Sequence, residues 1–164
     1  MFEHFDHSKD LFEYQLGSAL TMEHDSLNML RELETAAQSD EVKQLFAHHQ
    51  GETQQQIENL EKAFQLLGTE PNDSPSATTK GLMKEGTSMI AKTDKSLVDN
   101  VALSAALGTE HYEIAAYESL VVAAEAMGAR EVCDLLQANL EQEKHTSEEL
   151  TQCARKVAAA TTAI

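Results

Sequence analysis

Apolar residues recur every three or four positions along four long stretches, and this spacing constrains the fold more than any other feature. The first stretch begins near Ser8 and carries Phe12, Leu16, Ala19, Leu20, Leu27, Leu30 and Leu33. Such positions share one face of an α-helix, so the pattern predicts amphipathic helices that pack against each other. Ala, Leu, Glu and Gln are abundant and all favour helix, which predicts an all-α fold.

Capping residues indicate where these helices end. Ser39 is followed by Asp40 and Glu41, a pattern typical of a helix start, while Gly68 and Gly128 are typical of helix ends. We therefore expect long helices at about 8–38, 39–68, 96–127 and 129–159. The segment "TEPNDSPSATT" holds both prolines and predicts a loop, and residues 81–92 predict a short amphipathic helix.

The lengths of the connections predict the topology. The turns near Ser39 and Gly128 are short, so each joins two antiparallel helices, whereas the connection from Gly68 to Lys95 can run the length of a bundle. Such a crossover makes the second and third long helices parallel, which is ferritin-like connectivity. We expect residues 1–164 to form one domain, a ferritin-like four-helix bundle with a long crossover that contains a short fifth helix.

The net charge and the N-terminal residues limit which binding partners and which cellular compartment can be expected. The net charge of −16, from 28 acidic and 12 basic residues, repels phosphates, so we expect no binding to nucleic acid or to a membrane surface. The sequence has neither an apolar run that could cross a bilayer nor an apolar signal core at its start, which predicts a cytoplasmic protein. Cys133 and Cys153 lie too far apart in one predicted helix to form a disulfide.

Five glutamates fall at similar heights in this predicted bundle: Glu23, Glu52, Glu110, Glu113 and Glu143. Glu23, Glu110 and Glu143 have the spacing of core-facing residues, whereas Glu52 and Glu113 fall at the edges of the inner faces. An internal repeat aligns Glu23 with Glu113. For the third long helix, core spacing favours Glu110 as the main ligand and the repeat favours Glu113, so both remain candidates.

Several carboxylates cannot stay ionised in an apolar core unless something compensates their charge. Lys144 is the one Lys or Arg predicted near their height. Facing helices that present hard oxygen ligands are how di-iron and di-manganese bundles are built, so the five glutamates predict a site for a pair of Fe or Mn ions per chain. The alternative is that some of these side chains rotate to the surface or are protonated.

The segments "TMEHDSL", "GETQQQIENLEKAFQLLG", "EHYEIAAYESL" and "LEQEKHTSEELT" occur in that order. With them the chain resembles the bacterial YciE/YciF family of ferritin-like proteins over nearly its whole length. The resemblance implies a ferritin-like bundle with a short crossover helix, a homodimer, an association with stress responses and no established enzymatic activity. The family's acidic positions match Glu23, Glu52, Glu110, Glu113 and Glu143, with His111 and Tyr117 as neighbours on the third long helix.

Two positions depart from the usual ferritin-like pattern, which carries Glu-x-x-His on the second and fourth long helices. Glu52 is followed by Gln55 and Glu143 by Thr146, so the site is poor in His and favours hard cations such as Mn²⁺ or Fe³⁺. Candidates beside the site are His49 and His111 as ligands or their neighbours, and Tyr117 as a hydrogen-bond donor, while Tyr112 is expected in the core. The remaining histidines, His4, His7, His24, His48 and His145, are expected at the surface.

Two functions are compatible with these residues. The first is a di-metal carboxylate protein that handles iron or acts on O₂ or peroxide, and the lack of compensating cations favours it. The second is a non-catalytic, dimeric stress or interaction scaffold whose metal site has lapsed, and the missing Glu-x-x-His pairs favour that. The residues do not decide whether the protein is an enzyme.

Overall fold

The computed structural model describes residues 4–162, which form five α-helices and a 3₁₀ turn, with no strand in that range. The helices are α1 (Ser8–Ala36), α2 (Asp40–Leu67), α3 (Ala77–Ile90), α4 (Val98–Ala126) and α5 (Arg130–Thr162), and the 3₁₀ turn (Lys95–Leu97) precedes α4. The all-α prediction is confirmed. None of the helices in the described range has the length and apolar character that a membrane crossing requires.

The helix ends follow the capping residues. The Ser39 hydroxyl accepts a hydrogen bond from the Val42 amide at the start of α2, and Gly68 ends that helix with φ of 72°. Gly128, with φ of 68°, lies in the turn between α4 and α5. Both glycines adopt the left-handed conformation that side chains with a Cβ rarely reach, so these turns require glycine.

The bundle has ferritin-like connectivity, as predicted. Each of α1 and α5 packs against both α2 and α4. Asp99 at the start of α4 accepts hydrogen bonds from the Gln38 and Ser39 amides at the far end of α1, and Tyr117 later in α4 reaches Glu23, so α1 and α4 are antiparallel. Because α1 and α2 are also antiparallel through a short turn, α2 and α4 are parallel, and a crossover joins them.

The crossover is held against α1 and α4. Ser18 donates a hydrogen bond to the Pro75 carbonyl, and the Thr79 hydroxyl donates one to Asp25. Its helix begins at Ala77, so the prediction that residues 69–79 form a loop and that helix starts at residue 81 was wrong at this boundary. Thr79 is buried against α1, and this contact makes the start of the helix favourable in a segment rich in turn-forming residues.

The apolar core is divided into two clusters with a polar layer between them. One cluster contains Phe12, Leu16, Ile57, Phe64 and Leu140, and the other contains Leu30, Phe46, Ala106, Leu103 and Leu150. Along each long helix the buried residues between the clusters are largely polar: Glu23 and Ser26 on α1, His49, Thr53 and Gln56 on α2, Thr109, Glu110 and Glu113 on α4, and Glu143, Thr146 and Ser147 on α5. Such a layer costs stability unless its groups are paired, which indicates a functional role.

Candidate metal centre

The five predicted glutamates meet in this polar layer, and every long helix contributes at least one of them. Glu23 from α1, Glu110 and Glu113 from α4 and Glu143 from α5 are at most 3% exposed. Glu52 from α2 lies at the edge, with its side chain 18% exposed. The heights counted from the turns therefore placed all five correctly, and Glu52 flanks the site as its spacing indicated.

Glu113 differs from its expected position, because it is as buried as the other glutamates of the layer rather than at the edge of the inner face. The reason is that the buried stripe of α4 runs through Ala106, Glu110, Glu113 and Tyr117, at three-four spacing. Glu113 therefore lies on the same inner face as Glu110, next to Ser26 of α1. Both Glu110 and Glu113 face the layer, so both remain candidates for the main ligand on α4.

Three of the carboxylates converge. One carboxylate oxygen from each of Glu110, Glu113 and Glu143 lies within 4.8 Å of the other two. Glu110 and Glu143 are close enough to share a proton. Glu23 repels Glu113, and Glu52 repels Glu110 and Glu143, so both carboxylates add negative charge to the same cluster. Metal ions are commonly held by oxygen ligands in such an arrangement.

Without a metal ion, the surroundings of the cluster disfavour the ionised form of its carboxyl groups. Burial is the largest cause that raises the pKa of Glu23, Glu110 and Glu143, and repulsion between the carboxylates raises each pKa further. Burial also raises the pKa of Glu113, to about 7, although a hydrogen bond from Ser26 opposes the rise. Burial and mutual repulsion therefore favour the protonated form of these carboxyl groups in the metal-free cluster.

Lysine and arginine do not compensate these carboxylates in the described part of the chain. Lys144, predicted near this height, is half exposed and pairs with Glu118 across 3.0 Å. One oxygen in each of four buried glutamates (Glu23, Glu110, Glu113 and Glu143) is fully buried and has no hydrogen-bond partner. These unpaired oxygens, together with an all-carboxylate donor set, fit a hard cation such as Mn²⁺ or iron, which would replace the missing partners.

A buried network orients one of the carboxylates. Tyr117 is fully buried and its hydroxyl donates a 2.6 Å hydrogen bond to Glu23, as the sequence suggested. The Asn139 amide donates to the Tyr117 oxygen across 3.0 Å and to the Gln56 carbonyl across 3.2 Å, while Asn59 donates to Asn139 across 2.7 Å. Burial and the adjacent carboxylates raise the pKa of Tyr117, so it remains a donor.

Asn139 and Ser26 are site residues that sequence reasoning missed. A signal for Asn139 was available, because a polar residue four positions before Glu143 and next to Leu140 lies on the inner face of α5. Tyr112 is half-buried and packs against one of the apolar clusters, in agreement with its expected place in the core.

The histidines are arranged mainly as predicted. His4, His7, His24, His48 and His145 are exposed, and so is His111, which excludes it from the cluster in this conformation. His49 is buried between α2 and α5, where it faces Glu149 rather than the glutamate cluster. The positions that would carry the missing Glu-x-x-His histidines hold exposed Gln55 and buried Thr146, and Thr146 donates a hydrogen bond to Glu52 across 3.2 Å.

The layer approaches solvent along the seam between α2 and α5. An open depression of about 450 Å³ there is lined by Glu52, Gln55, Asn59, Gln142 and His145, among others. Glu52 thus has one side toward this depression and the other toward the buried carboxylates.

Comparisons with known proteins agree with this architecture. Residues 7–163 match the family model described as Domain of unknown function (DUF892). Protein YciF of Escherichia coli (strain K12) is 34% identical over 151 residues, with 89% of each chain covered. The crystal structure of the E. coli stress protein YciF superposes with a TM-score of 0.90 at 29% identity, covering 94% of this chain and 99% of that chain.

A more distant structure extends the likeness of fold. A ferritin-like, diiron-carboxylate protein from Bacillus anthracis superposes with a TM-score of 0.72, covering 92% of this chain and 99% of that chain. The identity is 17%, so this likeness shows the common fold alone. The predicted resemblance to the YciE/YciF family and the ferritin-like fold are both confirmed.

Proposed function

The chain belongs to the DUF892 family, and from its buried carboxylates we propose that it is a stress-associated ferritin-like protein that binds a pair of iron or manganese ions in its core. The observation that carries the proposal is the set of buried carboxylate oxygens that have neither a hydrogen-bond partner nor a cationic neighbour. Leaving four such groups unpaired costs the fold several kcal/mol in total, at about 1–3 kcal/mol each. A resident cation would offset that cost.

The placement of the side chains supports the proposed set of ligands. Glu110, Glu113 and Glu143 supply the converging oxygens, while Glu23 and Glu52 add carboxylates from the remaining two helices. Bound iron or manganese would supply Lewis-acid and redox chemistry toward O₂ or peroxide. The chain's own part is to hold the five carboxylates, to orient Glu23 through Tyr117, and to shield the centre between two apolar clusters.

The alternative function is a non-catalytic stress or interaction scaffold in which the site has lapsed. It is supported by Gln55 and Thr146 at the positions where ferritin-like oxidases carry His. In either case a homodimer is proposed, because the family resemblance implies one. Sedimentation or light scattering of the untagged protein would give twice the chain mass if that is correct, and the single chain mass if it is wrong.

A thermal-shift experiment separates the two functions. Protein stripped of metal with a chelator and then dialysed is melted with and without Mn²⁺, or Fe²⁺ under argon. A ligand that binds only the native state at a hundred times its Kd stabilises by about 2.7 kcal/mol. For a chain of this size that is a rise in Tm of roughly 5–10 °C. An unchanged Tm at millimolar metal supports the scaffold instead.

A further inference from the structure

The outer face of α4 lacks the charged residues that cover the rest of the bundle. From Asn100 to Tyr117, α4 has no Lys or Arg, and its two acidic residues there, Glu110 and Glu113, are buried. Charged residues make up 24% of the chain, so an exposed helix face of this length without fixed charge is unusual for this protein. A helix that is apolar over most of its circumference is typically covered by a partner.

Exposed apolar side chains concentrate around this face. In residues 4–162, the large apolar side chains that are at least a third exposed are Leu11, Leu66, Met89, Leu97, Val122 and Met127. Val122 lies on the outer stripe of α4, Leu97 precedes that helix, and Met89 of α3 lines a groove against α4. Leu11 continues the stripe of α1 that borders α4. Such a contiguous apolar patch indicates an interaction surface.

Helix α3 covers one half of the seam between α1 and α4 and leaves the other half open. Thr79 donates a hydrogen bond to Asp25 of α1, and Gly86 lies so close to α4 that a Cβ there would be 3.1 Å from the Cβ of Ala105. The rest of the seam is a groove of about 300 Å³. None of the described residues that line this groove is charged, and they include Tyr14, Gln15, Ser18, Tyr112, Ala115 and Ser119.

The charge of α3 is opposite to that of the protein. Residues 80–95 carry four lysines and two acidic residues, in a chain with 28 acidic and 12 basic residues. These lysines are exposed, and none of them forms an ion pair within residues 4–162: Lys80, Lys84, Lys92 and Lys95. Beside the open groove, Asp10, Glu13 and Asp73 line an acidic depression that shares Tyr14 with it. One face thus presents a basic helix and an uncharged groove with an acidic edge.

We propose that this face binds a second copy of the chain, with α3 of each copy lying in the open groove of the other and the two α4 helices antiparallel. A two-fold axis across α4 near His111 exchanges the half of the seam that α3 covers with the half that is open. The same rotation brings the lysines of α3 toward Asp10 and Asp73 of the second copy, and Met89 toward its Val122. The proposal rests on the proposed homodimer, for which it names the interface, and does not depend on metal binding.

The size and the charge of the face suit this occupant. With 29 residues, α4 is roughly 43 Å long, so a strip along it about 20 Å wide measures on the order of 800 Å². Stable interfaces bury about 800 Å² per partner. Two copies that each carry a charge of −16 repel each other, and contact through an uncharged strip with oppositely charged edges reduces that repulsion.

Sedimentation equilibrium of the untagged protein tests the interface with a charge placed in the face, Val122→Glu or Ala115→Glu. The wild type should have twice the chain mass. Either variant should raise the dimer Kd roughly a hundredfold or more, because the dimer would bury an unpaired carboxylate. Both positions are exposed in the single chain, so the fold is retained, and thermal melts confirm it. The matched control, Leu66→Glu on α2, also replaces an exposed apolar residue and should leave the Kd unchanged.

A charge reversal tests the antiparallel arrangement. Lys84→Glu places a like charge toward Asp10 and Asp73 of the second copy and should raise the dimer Kd roughly tenfold. Lys62→Glu, at an exposed position on α2, should not. A wild type with the single chain mass would contradict the homodimer and this inference with it. A wild-type dimer that Val122→Glu, Ala115→Glu and Lys84→Glu leave as tight as their controls do would overturn this interface while the homodimer stands.

Discussion

The hydroxyl of Tyr117 on α4 lies 2.6 Å from Oε1 of Glu23 on α1, and this hydrogen bond joins one apolar cluster of the bundle to its carboxylate layer. Asn139 on α5 donates to the same hydroxyl oxygen, so three helices fix the position of one carboxylate. A donor of this kind restricts the orientation of the Glu23 carboxylate and favours its ionised form. The arrangement explains why a tyrosine is fully buried beside acidic groups.

Replacing Tyr117 with Phe should weaken metal binding and lower stability. The variant leaves Glu23 Oε1 without a partner, at a cost of about 1–3 kcal/mol, and removes one of the two acceptors of the Asn139 amide, which keeps the Gln56 carbonyl. Loss of an outer hydrogen bond to a ligand typically lowers metal affinity by about 10- to 100-fold. Isothermal titration with Mn²⁺ and urea unfolding measure the two effects. Tyr112→Phe on the same helix is the control, and equal effects from both variants would contradict the role of the hydrogen bond.

Replacing Glu110 and Glu113 with Gln should stabilise the metal-free protein while removing its response to metal. Gln keeps the shape of the side chain but carries no charge, so the repulsion and desolvation that raise the pKa of these groups disappear. We expect a higher Tm without metal and no further rise with Mn²⁺. Glu61→Gln, at an exposed position on α2, should change neither the Tm without metal nor the rise in Tm with Mn²⁺. A double variant less stable than the wild type without metal would show that the carboxylates serve the fold.

The stability of the metal-free protein should depend on the protonation of Glu113. Burial raises its folded-state pKa from 4.5 to about 7, so its contribution is fully present below pH 4.5 and is lost as the pH rises toward 7. The loss is on the order of 3 kcal/mol, or roughly 6–12 °C in Tm. Thermal melts between pH 5 and 8 should therefore show a smaller decline in Glu113→Gln than in the wild type.

His49 changes the stability with pH in the opposite direction, so its contribution must be distinguished from that of Glu113. Its folded-state pKa is lowered from 6.5 to about 4, so the stability that it contributes is present above pH 6.5 and lost as the pH falls toward 4. The comparison of Glu113→Gln with the wild type cancels this contribution, because both proteins retain His49. Parallel pH profiles for the two proteins would contradict the assignment to Glu113.

Two helical glycines should respond differently to substitution by Ala. A Cβ at Gly51 on α2 meets nothing within 4 Å, so Gly51→Ala should stabilise by about 0.5–1 kcal/mol. A Cβ at Gly17 on α1 would overlap the Asn72 side chain, which bonds to Ser74 in the crossover. Gly17→Ala should therefore not give the stabilisation expected for Gly51→Ala. Combining Gly17→Ala with Asn72→Ala should recover part of that stabilisation. Urea unfolding checks all three, and equal stabilisation by both single variants would contradict this packing.

The helices and the site could largely be predicted from the sequence. The helices depend on the spacing of apolar residues, and the site depends on how many residues separate each glutamate from the nearest turn. The spacing of Leu16, Leu20 and Leu27 defined the buried face of α1, and counting from the turns brought Glu23 and Glu143 to one height. The burial of Glu113 was missed because the inner face of α4 was expected slightly out of phase with its buried stripe, which contains Ala106, Glu110, Glu113 and Tyr117. The contact of His49 with Glu149 could not be predicted, since it depends on the relative rotation of α2 and α5.

The start of α3 was also missed for a tertiary reason. Its first residues have turn-forming composition, and their helix is supported by Thr79, which is buried against α1. Local propensity is a weak guide where packing decides.

Metal binding by the carboxylate layer is tested most directly by the metal content of untagged protein purified without chelator and reconstituted with Fe²⁺ or Mn²⁺. Elemental analysis after gel filtration should give about two ions per chain, as carboxylate bundles of this type hold a pair. In Glu110→Gln with Glu113→Gln that content should fall close to zero, while Glu61→Gln keeps it. Metal that is substoichiometric in the wild type, or that persists in the double variant, would contradict the carboxylate centre.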